Sequence, residues 1–339
     1  MGDRRIFIPQ ASGASGPTDL SSMSYNASES RTTGVFSGAT YGSNQFYIFD
    51  DGKSMLHFRA AYDSHYEQIA QFATAYDWSS AITTVNGGNR NPSNHYQSGV
   101  FMQNNGLNYV YGGYTNSNVA GNDDIYKSSV TTKNTFTGYS LSTYSSTYKV
   151  SANNDSPTSW ANPYMNTAGT RLWHTWGYDH NESNGANYDD FIVEYSGTTA
   201  YDFNNFNGVR SKKVRDLFGQ ASSVLYNPST TTGYLYHFQD MKADGTEVLV
   251  LRYYYSSGTI TEWNYYVSSL TTPYDISTAQ AIVTTNVLSF TNNKPTVSSV
   301  NANVGTGRAL FTGDGSITIH RLAGTYGSNY SSYFHKYSI

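Results

Sequence analysis

The sequence predicts an all-β fold, a β-propeller of about five four-stranded blades. Three observations predict it. Tyr, Phe and Trp are abundant, with 32, 16 and 5 copies among 339 residues, and aromatic residues favour strands. A hairpin unit built around a glycine turn recurs five times along the chain. Its last copy is incomplete, which favours a closed ring.

The hairpin unit consists of an apolar or aromatic run, a tight turn and a second such run. Asp-Gly or Asn-Gly between alternating apolar residues is typical of short hairpins, because the turn needs a positive φ angle. The turn glycines of the five copies are Gly52, Gly106, Gly169, Gly245 and Gly315. We expect them to occupy equivalent hairpins in the ring.

A second motif, Thr-x-Tyr-Asp, follows the hairpin in the first, third and fourth units, at residues 74–77, 199–202 and 272–275. The second unit has a weaker copy in which Thr135 replaces the Asp. Strands are expected on both sides of this motif. Each unit therefore holds four antiparallel strands, which is the content of one propeller blade.

The fifth unit ends at Ile339, where the third strand of the other units lies. Its missing fourth strand is expected from the opposite terminus, with residues 4–9 pairing beside Ser332–Tyr337. Such closure removes an open sheet edge, whereas a solenoid would carry atypical capping repeats at both ends. The predicted organisation is a closing strand and arm at residues 1–40 and a propeller at residues 41–339.

Composition excludes several classes of protein. The net charge is −4 and 13% of residues are charged, so no basic face for nucleic acid is expected. The densest basic stretch, Arg210–Arg215, fits a solvated strand edge. There is no cysteine, and no apolar run reaches the ~18–20 residues of a membrane span. We expect no signal peptide, no membrane insertion and no cofactor.

The repeated carboxylates do not form an obvious catalytic pair. Five-bladed glycoside hydrolases place acid and base carboxylates in the central cavity. The repeated aspartates of this chain lie in the turns, where Asp accepts local backbone N–H groups. They are Asp51, Asp244 and Asp314 in the glycine turns and Asp77, Asp202 and Asp275 in the Thr-x-Tyr-Asp turns. The chain is therefore predicted not to be an enzyme.

Two groups of side chains are candidates for ligand contact. A loop rich in aromatic and polar residues could bind a sugar or a divalent cation, or it could simply be a long solvated Asn/Gly loop. Its candidate contact residues are Trp173, His174, Trp176, Tyr178, Asp179 and His180.

The second group is a repeat position five residues past each turn glycine. Histidine occupies it in three units, and the five residues are His57, Tyr111, His174, Val250 and His320. A ring of imidazoles could bind a metal or act as a pH switch. Packing between blades is the alternative, and it is favoured because second strands lie too far from the axis to share one ion.

The segment Ser269–Ala279, together with Asp244-Gly245 earlier in the same unit, resembles repeats of β-propeller virion proteins of tailed bacteriophages. The resemblance implies a non-enzymatic structural protein on the tail or the exterior of a phage particle. Its implied partners are other virion proteins and host surface polysaccharide. The alternative is a secreted or surface lectin-like propeller. Loops that differ between units favour the virion protein, since a lectin would repeat one site in each blade.

Overall fold

In a computed structural model, the chain forms five four-stranded antiparallel sheets. This arrangement confirms the predicted all-β propeller. The structure describes residues 17–31, 44–49, 51–61, 64–89, 95–103, 108–115, 123–132, 135, 140–144, 160–166, 168–176, 191–202, 205–220, 232–256, 259–290, 308–323 and 331–339.

The first three blades each take four consecutive strands. Blade 1 consists of β2 (Asn44–Ile48), β3 (Ser54–Ala61), β4 (Ser64–Phe72) and β5 (Ile82–Asn89). Blade 2 consists of β6 (His95–Gln103), β7 (Asn108–Thr115), β8 (Asp123–Ser129) and β9 (Ser140–Tyr144). Blade 3 consists of β10 (Trp160–Met165), β11 (Arg171–Trp176), β12 (Phe191–Gly197) and β13 (Phe206–Lys213).

Blade 4 also takes four consecutive strands, whereas blade 5 takes its fourth strand from the N-terminal part of the chain. Blade 4 consists of β14 (Gly233–Met241), β15 (Glu247–Ser256), β16 (Thr259–Ser269) and β17 (Val287–Ser289). Blade 5 consists of β18 (Ala309–Phe311), β19 (Ile317–Ala323), β20 (Ser331–Ser338) and the N-terminal β1 (Ser24–Tyr25). The first strands of successive blades lie side by side, from β2 through β6, β10 and β14 to β18. They are the innermost strands of the ring.

Alternation along the strands explains why each blade is buried on both faces. On β15, Val248 and Val250 pack into the cluster between blades 3 and 4. Leu249 and Leu251 point the other way, into the cluster between blades 4 and 5. Successive side chains of a strand point to opposite faces, so a strand between two neighbouring blades needs an unbroken apolar run.

The seam between blades 5 and 1 closes the ring. Phe46 and Met55 of blade 1 pack against Leu310 and Phe334 of blade 5. The indole N–H of Trp78 in blade 1, which is fully buried, donates to Thr318 Oγ1 in blade 5 at 2.9 Å. A buried indole N–H usually finds a hydrogen-bond partner, and this bond links the two blades where they meet.

The predicted glycine turns are equivalent where the structure describes them. Gly52, Gly169, Gly245 and Gly315 have φ angles of 62°, 67°, 72° and 84°. Each donates its N–H to the carbonyl three residues earlier in the chain. Gly106 lies outside the described residues. The shared left-handed backbone confirms the hairpin assignment in four blades.

The Thr-x-Tyr-Asp turn docks onto the glycine turn of its own blade. Tyr76, Tyr201 and Tyr274 have φ angles of 56°, 61° and 63°. Their N–H groups donate to the carbonyls of Gly52, Gly169 and Gly245 at 2.7–2.8 Å. A Cβ on Gly245 would lie 2.6 Å from Cδ2 of the Tyr274 ring. The two motifs recur together because the tyrosine ring needs a residue without a side chain beneath it.

An N-terminal strand completes blade 5, but it is not the strand that the sequence indicated. Ser24 and Tyr25 pair with Ser338 and Tyr337, and Arg31 forms a further bridge to Phe334. Residues 4–9, the predicted closing strand, lie outside the described residues. The short β1 was missed because two residues carry no detectable alternation. The boundary proposed at residue 40 stays a prediction.

The segment around β1 also holds neighbouring blades together. Thr18 donates from its N–H and its hydroxyl to the Glu247 carboxylate in blade 4, at 3.2 and 2.6 Å. Further along the segment, the carbonyl of Glu29 accepts from the N–H of Trp78 in blade 1 at 3.0 Å. Residues 17–31, which we call the N-terminal strap, therefore contact blades 4, 5 and 1.

The predicted basic edge is also in place. Arg210 lies on β13, the outermost strand of blade 3, where most side chains are exposed or half-buried. It forms ion pairs with Glu194 of its own blade and with Asp275 of blade 4. No helix in the described part of the chain has the length and hydropathy of a membrane span.

Candidate functional site

The turn aspartates act locally, as the sequence predicts. Asp51 Oδ1 accepts from the N–H groups of Lys53 and Ser54, both at 2.8 Å. Asp275 Oδ1 accepts from the N–H of Ser277 at 3.0 Å and caps a short 3₁₀ turn. Asp77, Asp202, Asp244 and Asp314 also accept bonds from nearby residues. These carboxylates shape turns.

The histidines of the shared repeat position are packing residues. His57, His174 and His320 are 3%, 2% and 1% exposed. The His57 and His320 rings meet edge to face across the seam between blades 5 and 1, with centroids 5.5 Å apart. His174 stacks on Tyr195. The described residues contain no group of His, Asp or Glu side chains that could hold a metal ion.

The predicted ligand loop is only partly described. Trp173 is fully buried and stacks on Tyr274 of blade 4. His174 is also buried, so both side chains are core residues. The backbone of Trp176 ends β11. Tyr178, Asp179 and His180 lie outside the described residues, and their role in ligand contact stays a prediction.

A buried ionic group lies at the innermost strands. Asp240 of β14 accepts at Oδ2 from the N–H of Phe311 in blade 5 at 3.0 Å. Arg308 Nη2 lies 3.8 Å from Asp240 Oδ1 and donates to the Pro163 carbonyl of blade 3 at 2.6 Å. Burial raises the pKa of Asp240 to about 7, although the Arg308 charge opposes the shift. Asp240 is therefore partly protonated near neutral pH.

A second polar group occupies the seam between blades 3 and 4. Three strands of blade 4 present successive rows of side chains towards blade 3, as their register shows. Going away from the glycine turn, one of these is the core row Phe238, Val250 and Tyr266. The next is Tyr236, Arg252 and Asn264, and the last is Tyr234, Tyr254 and Glu262. We call the six residues of the last two rows the seam site.

Arg252 is the centre of the seam site. Its guanidinium lies over the rings of Phe218, Tyr234 and Tyr266, at 5.4, 4.9 and 5.0 Å from their centroids. Its Nε donates to Glu262 Oε1 at 3.1 Å. Burial lowers the pKa of Arg252, but the hydrogen bond to Glu262 and the surrounding tyrosines raise it further, so it stays above its usual value. The arginine is held as a cation and its charge is balanced by Glu262.

Two polar groups of the seam site have no partner among the described residues. They are the Tyr236 hydroxyl and Asn264 Oδ1, and both atoms are buried. Tyr236 is 2% exposed, and burial raises the pKa of its hydroxyl. The Asn264 amide nitrogen is used, because it donates to Glu262 Oε1 at 2.8 Å. A buried polar group without a partner costs about 1–3 kcal/mol, so these two atoms are candidates for hydrogen bonds to a bound ligand.

The seam site lies at the end of the ring opposite the glycine turns. β11 and β15 are the second strands of blades 3 and 4, so they have the same direction within their blades. Trp176 ends β11 at the same end of the ring at which Arg252 approaches the end of β15. The predicted ligand loop of blade 3 therefore leaves its strand at the end where the seam site lies.

Solved structures with the same fold include two carbohydrate-active enzymes. An endo-arabinase from Bacteroides thetaiotaomicron aligns over 92% of this chain and 98% of its own, with a TM-score of 0.52 and 9% identity. An α-L-arabinofuranosidase from Podospora anserina, solved with cellotriose, aligns over 94% and 96%, with a TM-score of 0.50 and 11% identity. No family model and no curated protein matches the sequence. At this identity the likeness establishes the fold.

These comparisons overturn two predictions. The prediction of a non-enzymatic structural protein of a phage virion is wrong, because two structures that share this fold along nearly their whole length are enzymes, an endo-arabinase and an α-L-arabinofuranosidase. The prediction that the chain is not an enzyme is contradicted on the same ground. The virion location and the resemblance to phage repeats stay predictions. The sequence argument rested on the turn positions of the repeated aspartates and on the expectation that most of the six glutamates lie on strands or loops without a partner.

The sequence analysis missed the seam site altogether. Arg252, Glu262 and Asn264 fall outside every repeated motif, on strands that were expected only to pack. One pattern could have revealed them: β15 is apolar or aromatic along most of its length but is interrupted by Arg252, and Glu262 lies beside Trp263 on the adjacent β16. Charged residues are almost never fully buried unless they are paired, so two opposite charges on adjacent central strands predict a paired site.

Proposed function

We propose that the chain is a carbohydrate-active β-propeller that binds a glycan at the seam site. The unpaired Tyr236 hydroxyl and Asn264 Oδ1 carry the proposal. Both are hydrogen-bonding groups of the kind that sugar hydroxyls satisfy, and they lie beside half-buried tyrosine rings. Ligand sites combine aromatic walls with a few polar groups in this way. The shared fold of the two glycan-acting enzymes supports the same class of ligand.

The replacement Tyr236→Phe tests this proposal, because it removes the hydroxyl and keeps the ring. One hydrogen bond contributes about 0.5–1.5 kcal/mol, so affinity for the bound oligosaccharide should fall about 3- to 10-fold. Thermal stability should be unchanged or slightly higher, since a buried unpaired group has been removed. Calorimetric titration with arabinan, xylan and cello-oligosaccharides, and a melting curve, measure the two effects.

A matched control is Tyr25→Phe, which removes a phenol hydroxyl from β1 in blade 5. It should leave the affinity unchanged. Equal affinity of the Tyr236→Phe variant and the unmodified chain would refute binding at the seam site. Failure of the unmodified chain to bind any of these glycans would refute the proposed function as a whole.

Hydrolysis of a glycan is a second candidate function, favoured by Asp240, which lies at the innermost strands and away from the seam site. Its pKa of about 7 gives a carboxyl that can donate a proton near neutral pH, as the acid of a glycosidase must. Release of reducing ends from a bound polysaccharide would be the assay. Asp240→Asn should abolish release and leave binding intact, while Asp216→Asn, at an exposed position, should change neither. A chain that binds glycan and releases no reducing ends would exclude this second function.

A further inference from the structure

We infer that the seam site selects neutral sugar units and discriminates against acidic ones. This inference rests on the proposed glycan-binding function and specifies the class of ligand. Three features of the seam site support it: the balance of charge around Arg252, the hydrogen-bonding character of the two unpaired atoms, and the exposure of Glu262.

The positive charge of Arg252 is already compensated. Both Nε and Nη2 of the guanidinium donate to Glu262 Oε1, and the cation lies over three aromatic rings. Arg252 and Glu262 are 15% and 28% exposed in their side chains. A carboxylate on the ligand would have to compete with Glu262 for the same donors, and it would be repelled by Glu262 while doing so.

At least one of the two unpaired atoms requires a hydrogen-bond donor from the ligand. Asn264 Oδ1 is an amide oxygen and accepts only, whereas the Tyr236 hydroxyl can donate or accept. A sugar hydroxyl donates and accepts, so two neighbouring hydroxyls can satisfy both atoms. An ionised carboxylate accepts only and would leave Asn264 Oδ1 unpaired. A ligand ammonium could donate to Asn264 Oδ1, but it would then lie close to the Arg252 cation.

The aromatic walls do not depend on charge. Tyr234 and Tyr254 are half-buried and their rings lie 4.7 Å apart at a tilt of 56°. They provide an apolar surface for the C–H face of a sugar at the more exposed edge of the seam site. The chemistry therefore fits a neutral pentose or hexose unit of a polysaccharide.

The test compares neutral arabino- and cello-oligosaccharides with oligogalacturonides of equal length, by calorimetric titration at low and moderate salt. The unmodified chain should bind a neutral oligosaccharide at least tenfold more tightly than the acidic one, with less than a twofold change across the salt range. Glu262→Gln removes the compensating charge. The ratio of the affinity for the neutral oligosaccharide to that for the acidic one should fall at least tenfold, mainly because the acidic ligand binds more tightly.

The matched control is Asp244→Asn, which changes the net charge equally in the same blade. Asp244 lies in the glycine turn at the other end of the ring, and Asn-Gly is as favourable a turn as Asp-Gly. Its ratio should equal that of the unmodified chain. An acidic preference in the unmodified chain, or an unchanged ratio in Glu262→Gln, would overturn the inference while glycan binding stands. Binding of neither series would overturn the proposed function and this inference together.

Discussion

Blade 4 takes its four strands from one continuous stretch of chain, whereas blade 5 takes three strands from the C-terminal residues and the fourth from Ser24–Tyr25. In blade 4 the outer strand pairs with β16 through three residue pairs. In blade 5 it pairs with β20 through two. The outer strand of blade 5 is therefore held mainly by the rest of the N-terminal strap.

The glycine turns of blades 4 and 5 also differ in whether a tyrosine of the same blade packs on them. Gly245 lies beneath the Tyr274 ring of its own blade, whereas a Cβ on Gly315 would meet nothing within 4 Å. Blade 5 has no Thr-x-Tyr-Asp turn of its own. Instead, the Tyr76 hydroxyl of blade 1 lies close to Gly313 of the blade 5 turn. Blade 5 thus depends on the N-terminal part of the chain for both its last strand and its tyrosine contact.

Removal of the N-terminal strap should have the largest effect. A chain that begins at residue 32 loses β1, the buried Leu20 and Met23 side chains, and the bonds to Glu247 and Trp78. Burying two such apolar side chains contributes roughly 3–6 kcal/mol, and the exposed edge of β20 would invite association. We expect aggregation or a melting temperature lowered by well over 5 °C, measured by calorimetry and light scattering.

A chain that begins at residue 17 is the control for this deletion. It keeps every contact described for the strap, and its melting temperature should equal that of the full-length chain. If the chain that begins at residue 32 had the same melting temperature as the chain that begins at residue 17, the dependence of blade 5 on the strap would be disproved.

Replacement of the two turn glycines by alanine should have the next largest effect. The loss of stability should differ between blade 4 and blade 5. Both positions have positive φ angles, which cost an L-residue about 1–2 kcal/mol. At Gly245 the new methyl group must also displace the Tyr274 ring, and overpacking of this kind adds about 1–3 kcal/mol. Gly245→Ala should therefore destabilise the chain by about 2–5 kcal/mol and Gly315→Ala by about 1–2 kcal/mol, as measured by urea denaturation. Equal losses would mean that the tyrosine docking contributes nothing.

The fold could be predicted from the sequence because its determinants repeat. A glycine that needs a positive φ angle and a Thr-x-Tyr-Asp turn both mark local backbone geometry, and local geometry is visible in a short stretch of sequence. The docking of Tyr274 on Gly245 was not foreseen, since the motifs were considered one at a time. β1 was missed because two residues are too few to show a period.

The site was harder to predict because it does not repeat. Tyr236, Arg252 and Asn264 come from three strands of one blade, and only their register brings them into one row. The sequence gives no sign of which hydroxyl or amide oxygen will lack a partner, since that depends on everything packed around it. Asp240 is similar: its pKa depends on burial at the centre of a ring that no short segment reveals.

Acid should destabilise the seam between blades 5 and 1 more than the corresponding seam of blade 4. His320 and Val250 share one repeat position, and both are buried. Burial, together with the neighbouring His57 and His335, holds the pKa of His320 well below its usual value of 6.5. The unfolded chain therefore binds a proton below about pH 6.5 that the folded chain does not. Stability is complete above that pH and decreases as the pH falls below it.

The substitution His320→Val should remove this part of the pH dependence. The loss amounts to at most about 1.4 kcal/mol per pH unit for one group, and urea midpoints at pH 7.5 and 5.5 would reveal it. The reciprocal change Val250→His should add a similar acid sensitivity in blade 4. An identical pH slope in the unmodified chain and in His320→Val would show that this imidazole does not set the acid limit.

The smallest effect concerns Asp275, whose turn blade 5 lacks. Its carboxylate caps the 3₁₀ turn through Ser277 and also pairs with Arg210 of blade 3. Loss of a cap costs about 0.5–2 kcal/mol, so Asp275→Ala should destabilise by about 1 kcal/mol. Asp275→Asn keeps the cap and loses only the charge, and a partly exposed ion pair contributes at most about 1 kcal/mol. Its cost should therefore be a few tenths of a kcal/mol.

Asp77 in blade 1 makes the same cap through Ser79 without an arginine among its described contacts, so Asp77→Asn should cost nothing measurable. If Asp275→Asn were as costly as Asp275→Ala in urea denaturation, the link between blades 3 and 4 through Arg210 would outweigh the cap.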